Sequence, residues 1–456
     1  MPLRTESLSR SVWIELDGCN GWFAPGETIR GTIHRSGPMA TSREHISLTL
    51  HGNSECQISL DGGRATSVDT HTSNFNLVDP EMLGKVVFNG PGNTKCSEYC
   101  ATWPFTFTIP RVADGVALFD SEGGDVSYTP LDRSDWRLPN SFAFGGRTPG
   151  MRLETHVKYY FEATLQVDPG EGEDVSTTLP VHIQTPNSGP PIKDFALRCH
   201  RHNESYRFRS HRLSAGQENS KLSLSQKLQH RFHSRSVPRL GVEYEVEAPH
   251  KIQLDNPEPM PFRLRAIPDW TRTSWHIHGV PQRIRVDSVR LRVTADTEGL
   301  VRGPWNCSDM KIREQTVMES SRSFKSEEVY VQLSHDNPTL DLGELMNLRY
   351  NTGDGDLFPD FEAFNISHGN HHLEWYIGVS FASEKHEITG SQSVRILPPS
   401  GDVKRECDAR PERRRRIGRG RKGLLCLSNF RKRDGNAWVA SRGDEEVKRH
   451  LHVCGG

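Results

Sequence analysis

The sequence predicts an all-β protein built from two tandem β-sandwiches. Three observations carry that prediction. Short segments with period-2 alternation of apolar and polar residues recur along most of the chain, clusters of Gly, Pro, Asn and Asp separate them, and one polar stretch, Leu213–Ser236, divides them into two series. Many short strands with turn signals between them favour sandwiches over βαβ units. The 456 residues leave room for such a pair, at roughly 100–200 residues per domain. A hydrophobic fraction of 34% and a mean hydropathy of -0.64 are low for a wholly compact chain, so part of it is expected to be loop or tail.

The first series opens with "SVWIEL", where Val12, Ile14 and Leu16 share a face, followed by "FAPGETIRGTI". Pro25-Gly26 is a strong turn signal, because proline presets φ and glycine accepts the positive φ that follows. Ile29 and Ile33 then resume the alternation, so the local reading is strand, turn, strand. "HISLTLHG" aligns Ile46, Leu48 and Leu50, and "WPFTFTIP" aligns Phe105, Phe107 and Ile109. The longest stripe runs through Val157, Tyr159, Phe161, Ala163, Leu165 and Val167, with Lys158, Glu162, Thr164 and Gln166 opposite. A half-buried antiparallel strand requires this pattern.

The second series begins after residue 236 with Val242, Tyr244 and Val246, then Ile252 and Leu254. In "RIRVDSVRLRV" the phase of Ile284 and Val286 shifts by one before Val289, Leu291 and Val293, which predicts a bulge at Asp287–Ser288. "EVYVQL" and "HLEWYIGVSF" continue the series. Within the polar stretch only "KLSLSQKLQHRF" is expected to form a short helix. The predicted organisation is a first sandwich over 11–215, a linker over 216–236, a second sandwich over 237–398 and a disordered basic tail over 399–456. Proteolysis of the linker is expected to release both sandwiches.

Few clusters invite chemistry. Cys96 and Cys100 form half of a zinc pattern, and Cys199, His200 and His202 offer a distant second half. His368, His371 and His372 stand in what reads as a hairpin loop. Free thiols and solvated loop histidines are expected here, and no metal or other cofactor is assigned. There is no Gly-x-Ser-x-Gly elbow, phosphate-binding loop or dinucleotide fingerprint. A glycosidase built on a sandwich would need two convergent carboxylates beside several aromatic residues. The N-terminus lacks the apolar core of a signal peptide, and no apolar run reaches the roughly 18 residues of a membrane span. A cytoplasmic protein is expected, in which the Asn-x-Ser sequons at Asn203, Asn306 and Asn365 stay unused.

The tail is distinctive in charge. Lys404–Arg433 holds 13 basic and 3 acidic residues, a charge of +10, against −1 for the whole chain and therefore −11 for the rest. Like charges and few apolar residues keep such a block from folding alone. Arg413, Arg414, Arg415, Arg416, Arg419, Arg421 and Lys422 are candidate contacts to an anionic membrane or to nucleic acid. Leu424, Leu425, Leu427 and Phe430 follow them, and Cys426 is a candidate for acylation. A merely solvated tail is the competing reading.

"FAPGETIRGTI", "WPFTFTIP", "LPNSF" and "VKYYFEATL" follow one another in an order that resembles the N-terminal domain of α-arrestins, particularly the fungal members. "VEYEVEAPHKIQLDNPEPMPFRLRAIP" and "FPDFEAFNISHGNHHLEWYIGVSF" resemble the second domain of the same proteins. The resemblance covers about residues 11–398 and implies arrestin-type, immunoglobulin-like sandwiches. It also implies a non-catalytic trafficking adaptor that bridges the cytoplasmic tails of membrane transporters or receptors to a HECT-type ubiquitin ligase, at plasma membrane or endosomes, with no small-molecule substrate. The family recruits its ligase through Pro-Pro-x-Tyr, and this sequence has none: Pro190-Pro191 and Pro398-Pro399 both lack the tyrosine. A carbohydrate-active sandwich enzyme or lectin, and a retromer-like structural subunit, are the alternatives.

Overall fold

The computed structural model describes residues 3–4 and 12–401 except 18–21, 37–42, 62–67, 80–82, 91–100, 114–127, 129–136, 168–173, 203–205, 218–219, 233–235, 303–306, 334–338, 353–355 and 383. The tail, with Arg413–Arg416, Arg419, Arg421, Lys422 and Cys426, lies outside them, as do Cys96, Cys100, Asn203 and Asn306. The fold is all-β, as the alternation predicts.

In the first sandwich one sheet carries Leu3–Arg4, Val12–Leu16, Thr28–Arg35 and Ala101–Thr108 in that spatial order. The facing sheet is ordered Trp22–Phe23, Val175–Ile183, Met151–Val167, Glu44–Asp61 and Val68–Asn76, with Lys85–Gly90 and Phe142–Thr148 added beside its long central strands. Met151–Val167 buries alternate residues from Leu153 to Leu165, with Val167 half-buried at the end of the stripe, and Phe161 is fully buried against Phe105 and Phe107.

The Pro-Gly turn forms as read, with Gly26 at φ +84 and the Glu27 amide donating to the Ala24 carbonyl at 3.0 Å. The positive φ is what requires glycine there, since the atom nearest an added side chain, Arg111 Nε, can swing aside. The strands before and after it do pair, Val12 opposite Arg35 and Leu16 opposite Gly31. The connection is longer than a tight hairpin, however. Between them the chain crosses to the opposite sheet, where Trp22–Phe23 lies parallel to His182–Ile183.

The second sandwich sets Leu197–Arg201 and Tyr206–Arg209 on Arg239–Pro249, followed by Arg263–Asp269 and Leu340–Asp341. Its other sheet places Arg283–Arg302 between Cys307–Ser323 and Ile366–Phe381, and Glu384–Ser393 pairs with the outer side of the last. The predicted bulge is present. Val286 faces Val379 and Ser288 faces Gly378, so Asp287 is the extra residue.

Two boundaries are corrected. Residues 197–215 were expected in the first sandwich, but both strands between Leu197 and Arg209 pair with Arg239–Pro249, and Phe208 and Leu213 lie in the second core. The polar stretch over 216–236 is therefore an excursion within the second sandwich, not a linker between the two. Its helix forms over Leu224–Arg231. Nor are the halves separable by composition: Met1–Cys407 is one compact unit, and Val301, Met310, Ile312, Phe364 and Ile366 pack into the core of the first sandwich. The strand Arg283–Arg302 reaches from one core into the other because its 20 residues outrun a single sandwich.

Candidate functional site: seam pocket and distal surface

The seam between the sandwiches is built from aromatic side chains. Phe142 of the first packs edge-on to Phe358 and Phe361 of the second, with centroids 4.9 and 4.7 Å away, and lies 4.9 Å from the ring of His368. Asn365 closes the seam with polar contacts. Its side-chain oxygen accepts from Ser54 Oγ at 2.5 Å, and its amide donates to the Ser54 and Ser73 carbonyls at 3.3 and 3.0 Å and to Ser73 Oγ at 3.3 Å. Fully buried, with its amide engaged, this sequon asparagine is closed to glycosylation in the folded chain.

His368 and His371 are not loop residues, contrary to the sequence reading. Both lie in the strand Ile366–Phe381 and both are buried, whereas His372 is exposed. Their buried positions were hidden because Gly369 and Asn370 interrupt the alternation and Asn370 takes φ +53. His368 Nδ1 bonds Thr297 Oγ1 at 2.9 Å, and His371 Nδ1 contacts Asp360 Oδ1 at 2.6 Å. The Nε2 atoms of both rings lack a hydrogen-bond partner. Burial, reinforced by the neighbouring His371, pushes the His368 pKa down to about 3, so this ring is neutral in the folded protein at ordinary pH.

Beside this pair opens a polar cavity of about 440 Å³ rimmed by Asp296, Glu298, Asp360 and Glu362. A sugar-cleaving site would set free carboxylates among several aromatic residues. Here Lys311 bridges Asp296 and Glu298, His371 holds Asp360, and Phe361 is the one Phe, Tyr or Trp in the lining. Three of the four carboxylates, Asp296, Glu298 and Asp360, are engaged in ion pairs. On the second zinc half, Cys199 is exposed, His200 bonds Gln392 at 2.6 Å, and no group of three or more His, Cys, Asp or Glu able to hold a metal ion occurs among the described residues.

A different surface lies at the end of the second sandwich that carries Arg209 and Arg239. The helix Leu224–Arg231 is held by a capping box, with Ser223 Oγ accepting from the Gln226 amide at 3.2 Å and Gln226 Oε1 accepting from the Ser223 amide at 2.9 Å. It buries none of its residues. His230 fastens it to the body, with Nε2 donating to the Arg209 carbonyl at 2.8 Å and lying 3.4 Å from Glu384. Leu224, Leu228 and Phe232 are 80%, 53% and 74% exposed. Nearby, Ser274 exchanges hydrogen bonds with Arg239, and the adjoining Trp275 is 82% exposed. The sequence reading found this helix but not its face, although the four-residue spacing of Leu224, Leu228 and Phe232 was there to be read.

No helix among the described residues is long and apolar enough to cross a membrane. Neither the known protein-family models nor the curated proteins include a match to this chain.

Proposed function

We propose that this chain is a non-catalytic adaptor of the arrestin-like type, acting in membrane-protein trafficking by holding the cytoplasmic tail of a transporter or receptor. The observation that carries the reading is the sheet of the second sandwich bounded by Cys307–Ser323 and Glu384–Ser393. Among the described residues each of these outer strands pairs on one side only. An extended peptide adds to such an edge through main-chain hydrogen bonds. The edge is offered by a body in which residues of the second half pack into the core of the first, so a captured tail is held at a fixed position relative to whatever binds the first sandwich. In this reading a HECT-type ubiquitin ligase is engaged without a Pro-Pro-x-Tyr motif, and the basic tail, through Arg413–Lys422, adds affinity for anionic lipid.

Proximity labelling from the intact protein in its own cells tests the proposal. Transporters or receptors with their ubiquitin ligases are the expected catch. Stoichiometric recovery of endosomal coat subunits would replace the adaptor by a structural subunit, and recovery of glycoconjugates would replace it by a lectin.

A further inference from the structure

The helix Leu224–Arg231 is mounted with its apolar side outward. At 100° per residue, His230, which ties the helix to Arg209 and Glu384, points about 200° away from Leu228. Leu224, Leu228 and Phe232 fall within an arc of about 80° on the opposite side. A surface helix ordinarily turns this stripe to the core. Here it faces solvent, with Lys227 and Arg231 on its flank, exposed and without a carboxylate partner among the described residues. The surrounding segment, Arg207–Arg239, holds eight Lys and Arg residues against one Glu, in a chain whose net charge is -1. Trp275, on a separate loop at the same end, adds a second exposed apolar element.

We infer that this end of the second sandwich docks on an anionic membrane surface, with Leu224, Leu228, Phe232 and Trp275 entering the headgroup region and Lys221, Lys227 and Arg231 meeting lipid phosphates. Three features select a bilayer over a protein groove. The exposed apolar residues come from two separate elements, whereas a groove would clasp one helix. Leucine, phenylalanine and tryptophan ringed by lysine and arginine is the composition of interfacial helices, and the long basic side chains reach outward to the headgroups while their stems lie along the apolar surface. The helix is also preformed by its capping box, so docking does not have to order it. This surface is separate from the basic tail and does not rest on the adaptor reading, since it concerns lipid and not cargo.

The test is partition of the full chain onto vesicles of phosphatidylcholine with increasing phosphatidylserine. The triple variant Leu224→Ser/Leu228→Ser/Phe232→Ser is expected to weaken binding about tenfold or more. The charge-reversed Lys227→Glu/Arg231→Glu should weaken it by a similar factor, with a shallower salt dependence. All five positions are exposed, and an unchanged melting temperature verifies that both variants fold. Brominated phosphatidylserine should quench a component of tryptophan fluorescence that disappears in Trp275→Phe. Vesicle binding unaffected by the triple variant would overturn the inference and leave any affinity to the tail. Cargo capture reads the adaptor proposal separately, so either can fail alone.

Discussion

The two ends of the second sandwich use the same kinds of side chain to opposite effect. At the seam, Phe358, Phe361, Phe364 and Ile366 are covered by the first sandwich, and Asn365 satisfies its amide across the joint. At the distal end, Leu224, Leu228, Phe232 and Trp275 meet solvent, and the polar residue His230 is the one turned inward. Apolar content alone therefore does not locate the core of this protein. What distinguishes the ends is whether a neighbouring element exists to cover them, and at the distal end the chain supplies none among its described residues.

The largest test of that contrast is a pair of truncations. Phe142→Ala, which removes a buried ring from the seam, is expected to cost about 3–5 kcal/mol in chemical denaturation. Phe232→Ala at the distal end should cost less than about 0.5 kcal/mol. Similar losses at the two positions would erase the distinction.

Acid should act on the seam next. The folded-state pKa of His368, at about 3, lies below its unfolded value of 6.5, so the unfolded chain takes up the proton first. The stability of the neutral ring is fully present above about pH 6.5 and is lost as pH falls toward 3. One proton limits the slope to about 1.4 kcal/mol per pH unit. Burial lowers the pKa of His156, His182 and His202 as well. The difference between the intact protein and His368→Gln therefore isolates this ring, and a variant with an unaltered pH profile would remove His368 from the acid response.

Asn365→Ala is expected to cost about 1–3 kcal/mol, because Ser54 Oγ loses its acceptor in a site closed to water. Measured together with Phe142→Ala, it should show coupling, since both act on one joint. Strict additivity would mean that the aromatic and polar halves of the seam hold independently.

The mildest perturbation is a cut in the backbone. Trypsin has exposed sites at Lys221, Lys227 and Arg231, but a nick there falls inside the second sandwich. The fragments are expected to stay together on native size exclusion, and separation into two folded halves would restore the linker view.

The extent to which the fold could be read in advance follows the strength of local pattern. The alternation from Val157 to Val167, the phase shift at Asp287 and the helix after Ser223 all depend on neighbours in sequence, and all appear in the structure. The domain boundary did not, because Leu197–Arg201 and Tyr206–Arg209 are short and their partner strand lies beyond a polar excursion. His368 and His371 looked like a loop because Gly369 and Asn370 break the alternation that buries them. The buried role of Asn365 depends on Ser54 and Ser73, far away in the chain. Composition names candidate residues, but the cover that decides their role is a long-range property.

That long range has a consequence for how the protein is made. Asn365 and Ser54 are 311 positions apart, an interval of roughly 15–60 s of synthesis at about 5–20 residues per second. From the completion of Val175–Ile183 onward, the first sandwich waits beside the ribosome without Val301, Met310 and Ile312 or Ala363, Phe364 and Ile366, which pack into its core. The amino-terminal half is thus an unfinished vessel until the carboxy-terminal half has been translated, with Phe142 and Phe144 open to chaperones. Ribosome-arrested chains ending near residue 280 should be cleaved by chymotrypsin at these phenylalanines, and chains extended past the second sandwich should resist. Protection already present in the shorter chains would show that the first sandwich closes by itself.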